Sequence, residues 1–311
     1  MTTTPRFGVL LMTYGSPASL DDVPRYLAAV RGGRPAEEDL TVEFTRRYRV
    51  IGGSPLVAIT TAQAAALEER LEGRARVRAG MRFSAPTIAE QLAAFQADGI
   101  AEVVAIVLSP QYSPLLMSGY GRAIEAAVAE MGPGAPRVQV AGAWHLQPAF
   151  ISALAGRIRE ALERFPAAER PSVPVLLTAH SLPRRVADQE PDYLDQLSAT
   201  ATAIAGAAGL APDRWRFCWQ SAGHEPGEWM KPDFADLMPA LRSEGHRAVL
   251  IAPVQFLADH LEILYDVEIG AREQAEAAGL AFARIESLNT APQFIDALAA
   301  VVADTLGSPV G

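Results

Sequence analysis

The chain has 311 residues, half of them hydrophobic and a fifth charged, with a formal net charge of −9. That length holds one large domain or two of ordinary size, and the acidic balance argues against a nucleic-acid partner, since phosphate binding needs a concentrated basic surface. Apolar stretches are strand-sized, short of the ~20 residues of a membrane-spanning helix, and the polar start Met1 to Phe7 lacks a secretion-signal core. The expectation is therefore a cytoplasmic protein without membrane contact. Cys218 is the single cysteine, which excludes an internal disulfide and a cysteine-ligated iron–sulfur cluster within one chain.

Strand-like runs at 7–14, 77–83, 102–108 and 137–143 come first, and runs at 174–179, 214–220, 246–253 and 280–285 follow. Between them, 87–97, 122–131 and 192–208 show helical apolar spacing and are rich in alanine, and a last helix is expected over 291–306. Strands alternating with helices predict an α/β fold with parallel sheets covered on both faces. The strand ends also match in pairs. Thr13-Tyr14-Gly15-Ser16-Pro17 corresponds to Ala179-His180-Ser181-Leu182-Pro183, and Leu108-Ser109-Pro110-Gln111-Tyr112 corresponds to Ala252-Pro253-Val254-Gln255-Phe256. The reading is a duplication: two Rossmann-like halves, each a four-stranded parallel sheet flanked by helices, over 1–146 and 147–289. Segment 290–311 is able to pack on the first half, and a cleft is expected between the halves.

Open α/β sheets place ligand chemistry at the carboxyl ends of their strands. In chain order, the first candidates are basic: Arg31 and Arg34 in a glycine-rich turn, then Arg46, Arg47, Tyr48 and Arg49 ahead of Gly52-Gly53-Ser54-Pro55. Guanidinium groups grip carboxylates in pairs, so this cluster reads as an anion site, with plain surface arginines as the alternative. No phosphate loop or dinucleotide fingerprint follows a strand. His180 ends the run Val175-Leu-Leu-Thr-Ala-His180, where the strand breaks at Pro183 and offers an imidazole; the plain alternative is a histidine capping a strand end. Trp219 and Trp229 flank a loop and serve either core packing or a flat apolar ligand. Glu262, Asp266 and Glu273 fall on one face of a helix that follows a core strand, a stripe that either faces water or is kept for a purpose. His260, about 200° round from Glu262, is expected off that face. His145, His224 and His246 sit in connecting or polar turns and are weaker candidates.

Thr13-Tyr14-Gly15-Ser16-Pro17, Arg47-Tyr48 with Gly52-Gly53-Ser54-Pro55-Leu56, Ala179-His180-Ser181-Leu182-Pro183, Trp219-Gln220-Ser221 and Asp259-His260-Leu261-Glu262-Ile263-Leu264-Tyr265-Asp266 together resemble a ferrochelatase. The likeness runs through essentially the whole chain and is nearest to the soluble coproporphyrin ferrochelatases of Gram-positive-type bacteria. It implies two chelatase-type halves facing a porphyrin, with His180 and Glu262 as the catalytic pair at the metal-insertion point. It also implies Tyr14 at the opposite porphyrin face as a ligand to the product iron, and Asp266 as a relay. Arg31, Arg47, Tyr48, Ser54 and Tyr120 fall where the family contacts the macrocycle and its propionates. Two departures stand out: the acidic stripe is interrupted at Ile269-Gly270, and the Gly-Gly-Ser-Pro turn is one residue shorter than in close relatives.

The chemistry implied suits these residue types. A free-base porphyrin carries two pyrrole protons that must leave, and its lone pairs point into the ring centre, so bending the ring helps a metal approach. Tyr14 on one side and Trp229 or the His180 strand end on the other would supply that strain from remote binding energy. An imidazole is a base near neutrality, and a carboxylate beside it stabilises the resulting cation and helps Fe²⁺ shed water. Ferrous iron and coproporphyrin III are thus expected as substrates, with no permanently bound cofactor. Coproheme decarboxylase is the candidate protein partner, and a monomer the expected state. Alternatives in other classes are a protoporphyrin IX ferrochelatase, a cobalt chelatase and a non-catalytic two-lobed ligand-binding module.

Overall fold

The computed structural model describes residues 5–223 and 227–307, which form two compact units. The first comprises the described residues up to Trp144, with Ala258–Leu261 and the chain from Asn289 onward; the second comprises His145–Leu257 and Glu262–Leu288.

In the first unit the strands are β1 (Phe7–Thr13), β2 (Ala75–Met81), β3 (Glu102–Val107) and β4 (Arg137–Val140). Its helices are α1 (Val23–Val30), α2 (Glu38–Val50), α3 (Leu56–Arg70), α4 (Ile88–Ala97) and α5 (Pro114–Met131). In the second unit, β5 (Val175–His180), β6 (Trp215–Gln220), β7 (Ala248–Pro253) and β8 (Ala281–Arg284) are accompanied by α6 (Pro148–Leu162), the short α7 (Arg184–Ala187), α8 (Pro191–Ala208) and α9 (Phe234–Ser243). A π-helix over Glu262–Ala271 runs into α10 (Arg272–Ala277). The C-terminal α11 (Pro292–Leu306) belongs to the first unit.

Both sheets are parallel and both repeat one order, β2-β1-β3-β4 and β6-β5-β7-β8. The central strands are continuous apolar runs because helices cover both faces: β7 is buried throughout, whereas the edge strand β4 is largely exposed. In each sheet the chain leaves the first strand to one side and returns on the other. The carboxyl ends of β1 and β3, and of β5 and β7, therefore flank a topological switch point, where such sheets bind ligands. Leu10, Met12, Ile88, Leu92, Phe95 and Val103 pack the first core, and Leu176, Cys218, Phe234, Met238, Val249 and Ile251 the second.

Three sequence expectations shift. β2 stops at Met81 rather than 83, yet Arg82 and Phe83 keep the register by donating to the Thr13 and Tyr14 carbonyls at 2.9 and 3.0 Å. The helix expected from 122 begins at Pro114, where Ser113 caps it by accepting from the Leu116 amide at 3.0 Å. The helix after β7 is wound as a π-helix, whose i→i+5 bonds are rare outside functional sites. Its change of winding into α10 breaks the 100° spacing on which the three-carboxylate stripe depends. Glu262 and Asp266 face strand-end residues, while Glu273 lies exposed in α10.

Candidate active site

In the second unit, β5 delivers His180, half-buried, to its carboxyl end. Its backbone amide donates to Gln255 Oε1 at 2.9 Å, and the Gln255 amide group donates in turn to the buried Tyr193 hydroxyl. The ring is fixed as well. His180 Nδ1 lies against the Ser181 carbonyl, which only accepts, so Nδ1 carries a proton and the tautomer that fits is the one whose lone pair is at Nε2. Phe256 stands beside the imidazole at a centroid distance of 6.4 Å.

Facing Nε2 at 3.6 Å is Oε2 of Glu262, the first residue of the π-helix. That oxygen is buried and has no hydrogen-bond partner among the described residues. A buried acceptor without a partner costs about 1–3 kcal/mol, more if charged, so the fold holds this carboxylate at a standing expense. A lone pair and an unsatisfied carboxylate oxygen, aimed at one another but too far apart to bond, form a receptor for a proton or a metal ion.

A second chain of contacts holds the same helix. Gln220 pairs in register with His180, and its Oε1 accepts from Thr178 Oγ1 at 2.5 Å. One residue on, Ser221 takes a left-handed φ of 56° and donates from Oγ to Asp266 Oδ2 at 2.7 Å. Neighbouring strand ends thus meet the same helix, one facing Glu262 without a bond and the other bonded to Asp266. Trp229 pairs as an isolated bridge with Pro183, and its ring covers Gly223, where a Cβ would meet it at 2.7 Å. Trp219 is buried and packs edge-on against Phe217, so it belongs to the core.

In the first unit, Tyr14 follows β1 and is 47% exposed, with Phe83 edge-on at 4.8 Å. Tyr120 of α5 is buried, and burial pushes its phenol well above the usual tyrosine range. Arg31 caps the end of α1 and Arg34 lies in the turn after it, both exposed. Arg47 is paired with Glu43 at 2.8 Å, and Arg46 shares that carboxylate; the two guanidiniums pull Glu43 down to about 2. The basic cluster is therefore partly neutralised. Tyr48 is buried, Arg49 is exposed, and Ser54 Oγ accepts weakly from the Leu56 amide at 3.4 Å, at the start of α3.

Three of the remaining histidines lie among the described residues. His260 falls in the first unit with Nδ1 on the Ala258 carbonyl, and His246 bonds the Ser172 carbonyl beside Glu244. His145 has a buried Nδ1 without a hydrogen-bond partner among the described residues, and His224 lies outside them. Cys218 is buried in β6, and burial, with lesser help from Asp233 and Asp236, raises its thiol well above the ordinary range. Among the described residues no group of three or more His, Cys, Asp or Glu could hold a metal ion. No helix among them is long and apolar enough to cross a membrane.

Sequence reasoning gave no role to Gln255, Tyr193, Ser221 or Thr178. Gln255 and Ser221 stood inside matched motifs, which was the available signal; Tyr193 and Thr178 offered none.

Two parallel sheets of identical order, with an imidazole and an open carboxylate at a switch point, define a chelatase-type α/β protein. SirB of Bacillus subtilis, solved with Fe³⁺, shares that fold at a TM-score of 0.59 and 12% identity, over 96% of this chain and 95% of its own. The ferrochelatase family profile matches residues 6–306. A ferrochelatase of Deinococcus radiodurans is 40% identical over 97% of this chain and 96% of its own length. A coproporphyrin III ferrochelatase of Geobacillus kaustophilus is 39% identical over 95% and 94%. The chain belongs to the ferrochelatase family, enzymes of haem biosynthesis that insert a metal ion into a porphyrin.

Proposed function

We propose that this enzyme inserts ferrous iron into coproporphyrin III, with His180 and Glu262 as the catalytic pair. The observation that carries the reading is the unpartnered Glu262 Oε2 facing the His180 Nε2 lone pair at 3.6 Å. Insertion exchanges Fe²⁺ for two pyrrole protons. His180 Nε2 accepts the two protons one after the other and passes each to solvent, or holds the ion before it enters while both protons leave to solvent; Glu262 offsets the positive charge in either case. The Ser181 carbonyl keeps the other ring nitrogen protonated, so the acceptor is always the nitrogen aimed at Glu262. Asp266, tied to Ser221, stands next along the same helix as a relay for charge leaving the pair. No resident cofactor is needed, iron being a substrate.

Tyr14 is assigned as a ligand to the product iron. Arg31, Arg47, Tyr48, Ser54, Tyr120 and Trp229 are assigned to the macrocycle and its propionates. The preference for coproporphyrin III rests on its four propionates, which call for more cationic and hydroxyl partners than the two of protoporphyrin IX. Arg31, Arg34 and Arg49 are exposed, and the Arg47 side chain is 21% exposed, in the unit that carries Tyr14. The relative from Geobacillus kaustophilus named for coproporphyrin III supports the same choice, while the one from Deinococcus radiodurans is named simply ferrochelatase. A cytoplasmic monomer handing coproheme to a decarboxylase completes the proposal.

Replacing His180 with alanine tests the pair. Anaerobic iron insertion is expected to fall more than tenfold, about 1.4 kcal/mol of barrier, with porphyrin binding retained. Turnover above a tenth of wild type removes His180 from its role. The ratio of kcat/KM for coproporphyrin III and protoporphyrin IX at matched detergent decides the substrate; a preference for protoporphyrin IX leaves the family intact and discards the coproporphyrin assignment.

A further inference from the structure

Arg82 lies outside every role assigned so far. Its amide continues the β2 register against Thr13, which delivers the side chain next to Tyr14. The guanidinium carbon stands 4.5 Å from the Phe83 ring centroid, 5.5 Å from that of Tyr120 and 5.7 Å from that of Tyr14. Among the described residues it forms no ion pair, so aromatic faces rather than a carboxylate hold it. α5 makes room for it at Gly119, where an added Cβ would sit 1.9 Å from the guanidinium carbon.

The arrangement joins a buried ring to an exposed one: Tyr120 is 5% exposed and Tyr14 is 47% exposed. Tyr14 stands just beyond a strand with nearly half of its side chain in solvent. Phe83 limits it along one edge. A flat cation wedged among three rings adds a second restraint, and guanidinium suits this because it stacks as a plane, where a lysine ammonium acts as a point charge.

We infer that Arg82 is a positioning residue for Tyr14: seated on Gly119 and held by Phe83 and Tyr120, its guanidinium fixes the Tyr14 ring in the orientation that porphyrin metallation uses. The inference rests on the placement of Tyr14 at the porphyrin site. It accounts for the glycine at position 119 inside a helix, where glycine is otherwise unfavourable. Holding a contact group in one geometry before the substrate arrives lowers the barrier without tightening ground-state binding, so kcat should respond more than KM.

Gly119→Ala is the informative variant, because it keeps the charge and the chain length of Arg82 and displaces only the flexible end of the side chain. Full-length protein carrying 3-fluorotyrosine is read by ¹⁹F NMR without ligand, the Tyr14 resonance being assigned with Tyr14→Phe. In both Gly119→Ala and Arg82→Leu that resonance is expected to move toward the value of free fluorotyrosine. Turnover in both should fall about tenfold, while the porphyrin KM stays within about threefold. The double variant should be no worse than either single one, since both remove the same platform. Arg82→Lys should not restore the wild-type resonance. An unmoved Tyr14 resonance in Gly119→Ala overturns the inference, as does wild-type turnover with a moved resonance, or multiplicative losses in the double variant. The underlying reading is checked separately with ferric coproporphyrin III: if wild type and Tyr14→Phe give the same iron spectrum, Tyr14 is not an iron ligand, and the ligand-free resonance still decides whether Arg82 holds it.

Discussion

Glu262→Gln separates the charge of the candidate carboxylate from its shape. The two oxygens of Glu262 differ in standing, since Oε2 is buried without a hydrogen bond and sits 3.6 Å from His180 Nε2. At that distance, with an effective dielectric of about 20, a carboxylate and a charged imidazole or bound cation attract by about 4–5 kcal/mol. Both side chains are 32% exposed, and screening at such a site brings the usable part to about 2 kcal/mol. Removing the charge should therefore lower kcat roughly thirtyfold, with a ceiling of roughly two thousandfold if screening is weak. Stability should move the other way or not at all, because the lost charge has no hydrogen bond to forfeit; the unfolding free energy should stay within ~0.5 kcal/mol of wild type or rise. The assay is anaerobic Fe²⁺ insertion at saturating porphyrin, beside a denaturation curve for each protein. A kcat within about threefold of wild type would refute the electrostatic argument, since that change corresponds to less than ~0.7 kcal/mol.

Ser221→Ala should destabilise by about 1.5–3 kcal/mol through the lost hydrogen bond to the Asp266 carboxylate, whereas Ser221→Gly should recover about 1 kcal/mol by relieving the left-handed backbone; equal losses in denaturant titrations would show that strain plays no part. Burial holds the His145 imidazole below its ordinary value of 6.5, so the unfolded chain binds the proton first and stability falls as pH drops below about 6.5. His145→Gln should flatten the dependence of Tm on pH between 6.5 and 5, and an unchanged slope would remove His145 from the acid response. Cys218, with its thiol raised by burial, should resist iodoacetamide at pH 8 in the folded protein and react at once when unfolded; fast labelling of the native state would contradict its place in β6.

What the sequence disclosed, and what it withheld, follows from how a parallel sheet is built. An apolar run that breaks at a proline announces a central strand and the residue it delivers, so the place of His180 at a strand end was legible at once, and matched strand ends exposed the duplication. The strand order that makes those ends a switch point repeats in both units. The partners those residues meet were not legible, because each comes from elsewhere in the chain. Thr178 and Gln220 are 42 residues apart, Ser221 and Asp266 are 45 apart, and His180 reaches Gln255 across 75. Local periodicity carries no trace of such pairings. The helix after β7 shows the same limit in another form. Spacing of four suits an α-helix well enough that Glu262, Asp266 and Glu273 read as one stripe, and only the wider winding separates the third from the others. Arg82 was hidden for a simpler reason: it fell inside an expected strand, and the glycine that admits it lies in a helix 37 residues further along the chain. Its neighbour Tyr14 was named only through the likeness to ferrochelatases, from the motif that ends the first strand. The function of a strand end is thus half written in the strand, and the other half depends on which distant side chain the fold sets beside it.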